Sequence, residues 1–211
     1  MPIYDNNGTT STEIGKIYDN NNATSTQIGE VYDNNNTTST LIYTATPPYL
    51  YLNGDQYTGD TGGWIGVTSG CYWYNQHNWY AGGTAVAPVF NASTVSLNTP
   101  YSQYRGSTIR TARAVDLTDI TSLTAVYDTV GSGGDTTYIS TAMMAAKATS
   151  GEITPAAGVH TTNLRPEAQN GSTMTLNCSA LTGVYYIYIG SASGGGNYIN
   201  MTLHNIRVTS K

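Results

Sequence analysis

Short runs of alternating polar and apolar residues occupy most of the chain, and Gly, Asn or Asp turns separate them. Alternation with period two, rich in Thr, Tyr, Val and Ile, is typical of strands with one buried face. About eight such runs follow residue 48, and no stretch has the periodic charge of an exposed helix. The pattern predicts an all-β fold, with a jelly-roll-like β-sandwich over residues 49–211. Clear strand candidates are 49–52, 107–112, 122–127, 137–143, 172–177, 183–190 and 200–208. Residues 142–158 fit a strand plus a loop better than a short Ala/Met helix.

The first 44 residues repeat with a period of 14. Each unit begins with an apolar residue, Tyr and Asp-Asn-Asn, continues through a Thr/Ser tract and reaches an Ile. Asn-Asn-Gly at residues 6–8 is a strong hairpin signal, because Asn and Gly accept turn conformations. A fixed period of this kind indicates a repeated structural unit, and each unit is predicted to form two short strands and two turns.

A single unit has too few apolar side chains to fold alone. Ordering costs about 1–2 kcal/mol of backbone entropy per residue, whereas a fully buried large side chain returns only about 1.5–3 kcal/mol. Association of several chains along a shared axis is the favoured solution, which predicts a trimeric β-shaft; a disordered linker is the alternative. The residues expected to line the packed side of the shaft are Ile3, Tyr4, Ile14, Ile17, Tyr18, Ile28, Val31, Tyr32 and Ile42.

Composition narrows the functional classes. Charged residues make up 10% of the 211 residues, and the net charge is −5. Without a Lys/Arg cluster, nucleic-acid binding is not expected, and no apolar run is long enough to cross a membrane. The N-terminus lacks the features of a secretory signal, yet the Thr/Ser/Asn/Gly/Tyr-rich composition is extracellular in character. A virion protein released by lysis fits both observations, and secretion through a machine that needs no signal is the alternative.

Neither the cysteines nor the histidines form a recognisable chemical site. Cys71 and Cys178 have no CxxC spacing, and a disulfide between them is less expected than free thiols. Three scattered histidines do not predict a metal site, so neither metal nor cofactor is expected. The several Asp residues are expected to cap turns rather than bind calcium, and Asp55 and Asp60 near Trp64 are only a weak suggestion of a glycosidase pair. Nucleophile-elbow, P-loop and GxGxxG motifs are absent from the sequence, so no catalytic residues are predicted.

Several segments form a recognisable pattern, namely residues 51–55 (YLNGD), 61–64 (TGGW), 115–118 with Leu123, 176–187 (LNCSALTGVYYI) and 206–208. In these segments the sequence resembles a domain common in structural proteins of phages and prophages of Firmicutes. The Tyr-Asp-Asn repeats are similar to those found beside such domains. Cys178 and Ala180 depart from the usual small hydrophobic residue and Ser. The resemblance implies a virion or tail structural protein with a jelly-roll or galactose-binding-like sandwich, and it brings no catalytic motif.

The most unusual segment is the aromatic-rich decapeptide at residues 71–80. Aromatic faces stack on sugar C–H groups while amides and imidazoles bind hydroxyls, so this segment is a candidate glycan site. The favoured alternative is that its aromatic side chains pack in the sandwich or at a subunit interface. The candidate ligand-binding residues are Trp73, Asn75, His77, Trp79 and Tyr80.

Together these patterns predict a repeat shaft at 1–44, a Pro-containing hinge at 45–48 and a sandwich head at 49–211. The leading hypothesis is a non-enzymatic virion fibre or decoration protein. It is expected to be a homotrimer that contacts other virion proteins, of the capsid or tail, and attaches to host-surface glycans. A carbohydrate-binding adhesin module of a bacterial surface or secreted assembly is the alternative, and a glycan hydrolase is less favoured.

Overall fold

A computed structural model provides the fold. It describes residues 3–7, 10–14, 18–21, 24–27, 30–35, 38–44, 49–67, 71–72, 74–75, 78–79, 85–102, 105–132, 139–156, 160–164 and 169–211. The chain divides into two compact units, Met1–Pro47 and Pro48–Lys211. The division lies inside segment 45–48, the predicted hinge, which is itself outside the described residues.

The N-terminal unit contains three two-stranded antiparallel hairpins, one for each sequence repeat. Each Asp-Asn-Asn strand pairs with the Thr-rich strand that follows it, so the predicted two-strand unit is present. The same register recurs, with Asn7 opposite Thr10, Asn21 opposite Thr24, and residue 35 opposite residue 38. The strands are β1 (Ile3–Asn7), β2 (Thr10–Ile14), β3 (Tyr18–Asn21), β4 (Thr24–Gln27), β5 (Glu30–Asn35) and β6 (Thr38–Thr44).

The second unit is nearly all β, as the sequence predicts, but its described part has more strands than the eight expected. Several are two or three residues long and lie in segments with little alternation. The elements are β7 (Tyr49–Leu52), α1 (Thr58–Thr61), β8 (Trp64–Gly66), β9 (Cys71–Tyr72), β10 (Tyr74–Asn75), β11 (Asn78–Trp79), β12 (Val89–Phe90), β13 (Val95–Ser102), β14 (Arg105–Thr111), β15 (Val115–Asp116), β16 (Ile120–Ser132), β17 (Ile139–Ala146), β18 (Gly151–Glu152), β19 (His160–Leu164), β20 (Gln169–Asn177), β21 (Val184–Ser193) and β22 (Asn197–Ser210).

Two six-stranded antiparallel sheets form the body of this unit. The first sheet has the order β12–β13–β22–β16–β20, and β7 pairs with β22 beyond the end of β13. The second sheet has the order β19–β17–β21–β14–β8, and β15 pairs with the start of β21. Buried side chains from both sheets form one continuous apolar core, which identifies the unit as a β-sandwich.

Side chains on both sheets contribute to this core and to contacts that join the sheets. Leu97, Leu123 and Met201 from the first sheet belong to the same cluster as Ile109 and Ile187 from the second. The Trp64 indole N–H in β8 donates to the Leu50 carbonyl in β7 at 3.0 Å, so this bond links the two sheets. The Tyr127 and Thr141 hydroxyls form a second buried link, at 3.1 Å.

The outer faces of the two sheets differ in accessibility. On β20 of the first sheet, Met174 and Leu176 are buried while the intervening Thr173, Thr175 and Asn177 are exposed. All eight residues of β17 in the second sheet are buried. The first sheet is therefore open on its outer side, and the second sheet is covered at β17.

A second apolar cluster explains why β17 does not alternate. Met144 and Tyr188, from neighbouring strands of the second sheet, pack there with Val67 and Ile153, which come from the segments after β8 and β18. The Tyr188 hydroxyl donates to the Ala148 carbonyl at 2.8 Å. Because both faces of β17 are buried, its sequence is a continuous run of small and apolar residues. That composition made 142–158 ambiguous. The chain forms strand β17 to residue 146, and no α-helix follows in the described part of this segment.

Candidate functional site

The described residues of the aromatic decapeptide, 71–72, 74–75 and 78–79, form short strands near the second sheet. These strands are β9, β10 and β11. β10 pairs antiparallel with β11, placing Tyr74 opposite Trp79, and β9 pairs parallel with β18. The backbone of β11 runs close to β14 and β21. These three strands are therefore outside the two main ladders, and β11 lies next to the second sheet.

The predicted ligand-binding residues are described only in part. Asn75 lies in β10 and Trp79 in β11, where the structure gives backbone positions alone. Trp73, His77 and Tyr80 lie outside the described residues. Direct contact between these side chains and a ligand therefore stays a prediction.

The predicted shaft residues lie in the hairpins, again with backbone positions only. Ile3 is opposite Ile14, and Tyr4 is opposite Glu13. Tyr18 is opposite Gln27, and Tyr32 is opposite Leu41. Val31 and Ile42 lie at the register shift between β5 and β6, whereas Ile17 and Ile28 are outside the described residues. Their packing in a shaft stays a prediction.

A group of polar and aromatic side chains not selected by sequence analysis lies on the open face of the first sheet. On β22, the residues between buried Ile199, Met201 and Leu203 point outward. These include Asn200, which pairs with Asn98 on β13. Their signal in the sequence is ordinary strand alternation, and only the sheet order brings together Asn98 and Asn200, which are 102 positions apart.

Asp128 and His204 are in direct contact on this face. The Asp128 Oδ2 is 2.7 Å from His204 Nε2, and Oδ1 accepts a hydrogen bond from the Gly171 backbone N–H at 2.7 Å. The hydrogen bond from the Gly171 backbone N–H is the main reason why the pKa of Asp128 lies below its ordinary value, and His204 lowers that pKa further. Asp128 is thus held by two partners, a role different from the turn capping predicted for it.

Two other acidic side chains, those of Asp116 and Asp55, form local hydrogen bonds. Asp116 Oδ1 accepts hydrogen bonds from the Thr118 N–H at 2.9 Å and the Thr118 hydroxyl at 2.7 Å, as expected of a turn-capping residue. Asp55 Oδ1 accepts one from the Tyr57 N–H at 2.9 Å. Among the described residues no group of three or more His, Cys, Asp or Glu side chains could hold a metal ion.

Cys178 is a buried free thiol in the main core. Burial raises its pKa to about 11, so the thiol is protonated at neutral pH. The disulfide to Cys71, already the less expected state, is therefore not formed in this structure. In the part of the chain described, no helix is long and apolar enough to cross a bilayer.

Comparison with known proteins gives little similarity. No protein-family model matches the chain, and no curated protein matches it. Among solved structures, it is similar to a glycoside hydrolase family 43 arabinoxylan arabinofuranohydrolase from Bacillus subtilis, solved in complex with cellotetraose. The identity is 14% and the TM-score 0.36, over 86% of this chain and 33% of the other. The chain thus spans about a third of that structure's length, and the likeness is too weak to support a conclusion.

Proposed function

We propose that this chain is a non-enzymatic fibre or decoration protein of a virion, a homotrimer with an N-terminal hairpin shaft and a jelly-roll head. Three hairpins at a 14-residue spacing, which share one register from the Tyr to the turn, are the observation that carries the proposal. An isolated two-stranded hairpin is at best marginally stable in water. Repeated self-association along an axis supplies the missing burial, as in other repeat architectures.

The second unit supports the head part of the proposal. It has its own apolar core between two antiparallel sheets, which is the architecture that a jelly-roll head requires. Its low charge and Thr/Asn-rich open face fit an extracellular, virion-exposed position. Contacts to other capsid or tail proteins belong to this proposal as well.

Native mass spectrometry of the whole chain tests the assembly. We expect a species of three times the 22.5 kDa chain mass. Replacing Tyr4, Tyr18 and Tyr32 together by Ser is expected to weaken the trimer. Replacing the three loop-flanking threonines Thr10, Thr24 and Thr38 by Ser is the matched control and should leave it intact. A wild-type chain that stays monomeric at micromolar concentration would contradict the proposal.

Glycan attachment through residues 71–80 is the second part of the proposed function. The position of β11 in a layer outside the main ladders favours it, since binding residues concentrate on segments held by a rigid scaffold. An adhesin module of a bacterial surface or secreted assembly would use the same chemistry. Binding on a glycan array that is lost in Trp79→Ala but kept in the exposed control Val184→Ala supports this part; silence on the array argues against it.

A hydrolase function has less support than either the fibre role or glycan attachment. Asp55, half of the suggested carboxylate pair, accepts a hydrogen bond that stabilises its own turn. Asp60 lies in the single helical turn α1 and is exposed. The test is whether the purified chain releases reducing sugars from bacterial capsular or wall glycans. Release that is lost in both Asp55→Asn and Asp60→Asn would favour the hydrolase over the other two functions.

A further inference from the structure

An aromatic pair marks one end of the open face of the first sheet. Tyr101 is 66% exposed, an unusual fraction for a residue within a strand, and its ring lies 6.4 Å from that of Tyr198 at 41°. Tyr101 falls where the β13–β22 register shifts between Thr99 and Ser102. The shift brings an aromatic ring to the surface of a face that is otherwise mainly polar.

A pair of amides follows this aromatic pair along β22. Asn98 and Asn200 are directly opposite each other and both exposed. Each amide offers two N–H donors and one carbonyl acceptor. Val130 on β16 is opposite Asn200 on the other side and is 50% exposed. Amide groups therefore lie between a partly exposed apolar side chain and the Tyr pair, the combination that binds the polar edges and apolar faces of a sugar ring.

The Asp128–His204 pair lies at the far end of the same row. The His204 and Asp128 side chains are 31% and 33% exposed, and both are held by the 2.7 Å contact between them. A carboxylate accepts about four hydrogen bonds, so Asp128 has capacity beyond Gly171 and His204. A ligand hydroxyl can donate to it without any reorganisation of the pair.

The charge on this face selects the class of ligand. The described outward-facing residues of β13, β16, β20 and β22 include one carboxylate, Asp128, and one guanidinium, Arg207. The formal charges of Asp128 and Arg207 cancel, so this face has no excess positive charge that would attract polyanions. From Tyr198 to His204 the strand rises about 20 Å, which is long enough for an oligosaccharide rather than a single sugar.

We propose that the open face of the first sheet binds a neutral oligosaccharide along β22. The rings of Tyr101 and Tyr198 stack on it, Asn98 and Asn200 bind its hydroxyls, and Asp128–His204 fixes its other end. This inference rests on the attachment part of the proposed function and assigns it a site on the opposite sheet from residues 71–80. It does not depend on the shaft.

The test uses the full chain on an array of neutral hexasaccharides of glucose, galactose, mannose, xylose and N-acetylglucosamine, with sulfated and sialylated glycans beside them. Calorimetry with the strongest neutral hexasaccharide follows. Tyr101→Ala and Asn200→Ala should each weaken binding about tenfold or more, whereas Tyr101→Phe keeps the ring and should keep binding. Val184→Ala, at a residue 53% exposed on the second sheet, is the control. Unchanged thermal unfolding of each variant shows that the fold is intact.

Several results would overturn the inference. One is a silent array, and another is a preference for the anionic glycans. Binding that persists in Tyr101→Ala and Asn200→Ala but disappears in Trp79→Ala would place the ligand at residues 71–80, and the proposed attachment function would then stand without this site. If Tyr101→Ala instead reduces the mass measured in native solution, the face is an interface between copies. Failure of trimer assembly is recognised separately, by the mass of the wild-type chain.

Discussion

Gly190→Ala tests whether the outer face of the second sheet is as closely packed as the structure has it. Gly190 lies in β21 opposite Thr108 of β14. A Cβ added at Gly190 would lie closer to the Thr108 hydroxyl oxygen than Cβ atoms in real proteins lie to other atoms. It would also lie 2.9 Å from the Ser107 carbonyl oxygen and 3.1 Å from the Thr108 Cβ. The Ser107 carbonyl oxygen belongs to the backbone of β14, and the Thr108 Cβ is bonded to it. Neither atom can therefore move without shifting β14.

The expected effect is a net loss of stability. Overpacking a tight interior costs about 1–3 kcal/mol, while Gly to Ala lowers the entropy of the unfolded chain and returns about 0.4–1 kcal/mol. The free energy of unfolding should therefore fall by about 1–2 kcal/mol, equivalent to a Tm lower by roughly 2–8 °C for a unit of this size. Urea unfolding monitored by tryptophan fluorescence measures this free energy, since all three tryptophans lie in the sandwich unit.

Two further variants make the measurement specific. Gly59→Ala is the control, because an added Cβ there has nothing within 4 Å, and it should be neutral or slightly stabilising. Adding Thr108→Ala to the Gly190→Ala chain should recover part of the lost stability. A double-mutant cycle separates this recovery from the stability that Thr108→Ala loses by itself. A Gly190→Ala chain as stable as wild type would refute the packing of β21 against β14 in this register.

Three other predictions concern the core and the open face. Trp64→Phe removes the indole donor and leaves the buried Leu50 carbonyl without this hydrogen bond, so the free energy of unfolding should fall by about 1–3 kcal/mol. Urea unfolding monitored by near-UV circular dichroism measures this loss, and an unchanged midpoint would contradict the link between the sheets. In a Cys71→Ser chain, the raised pKa and burial of Cys178 predict very slow thiol labelling at pH 8 and fast labelling in 6 M urea; rapid native labelling would contradict them. Because folding lowers the pKa of Asp128, its ionised form stabilises the chain above the unfolded-state pKa, and this stabilisation is lost as pH falls through the lower folded-state value. The Tm advantage of wild type over Asp128→Asn should thus be full at neutral pH and shrink in acid, and a constant difference would contradict it.

Much of the strand pattern was predictable from local alternation. The run at 172–177 alternates because β20 has one face on the core and one in solvent, and structure and prediction agree there. The hairpin turn after Asn7 was predictable for a similar reason, since Asn and Gly accept conformations that other residues disfavour. β13 was missed although Val95, Leu97 and Thr99 alternate with outward residues, because Pro100 interrupts the run and obscures the pattern.

The candidate site on the open face could not be found in the same way. Asn98 and Asn200 look like ordinary exposed strand residues until β13 and β22 are placed side by side. Asp128 and His204 are 76 positions apart, and a register shift in the β16–β22 ladder brings them within hydrogen-bond distance. Residues 71–80 form a stronger local pattern, because their aromatic residues are close in sequence.

The sequence by itself determined the class of fold, the 14-residue repeat and most strand positions, because turn preference and alternation are local properties of the backbone and its neighbours. Only the tertiary structure decided which sheet face is open. That depends on whether a distant segment covers it, as Val67 and Ile153 cover β17 while β20 stays exposed. Strand order and coverage arise from contacts between residues far apart in the chain, and no local pattern encodes them.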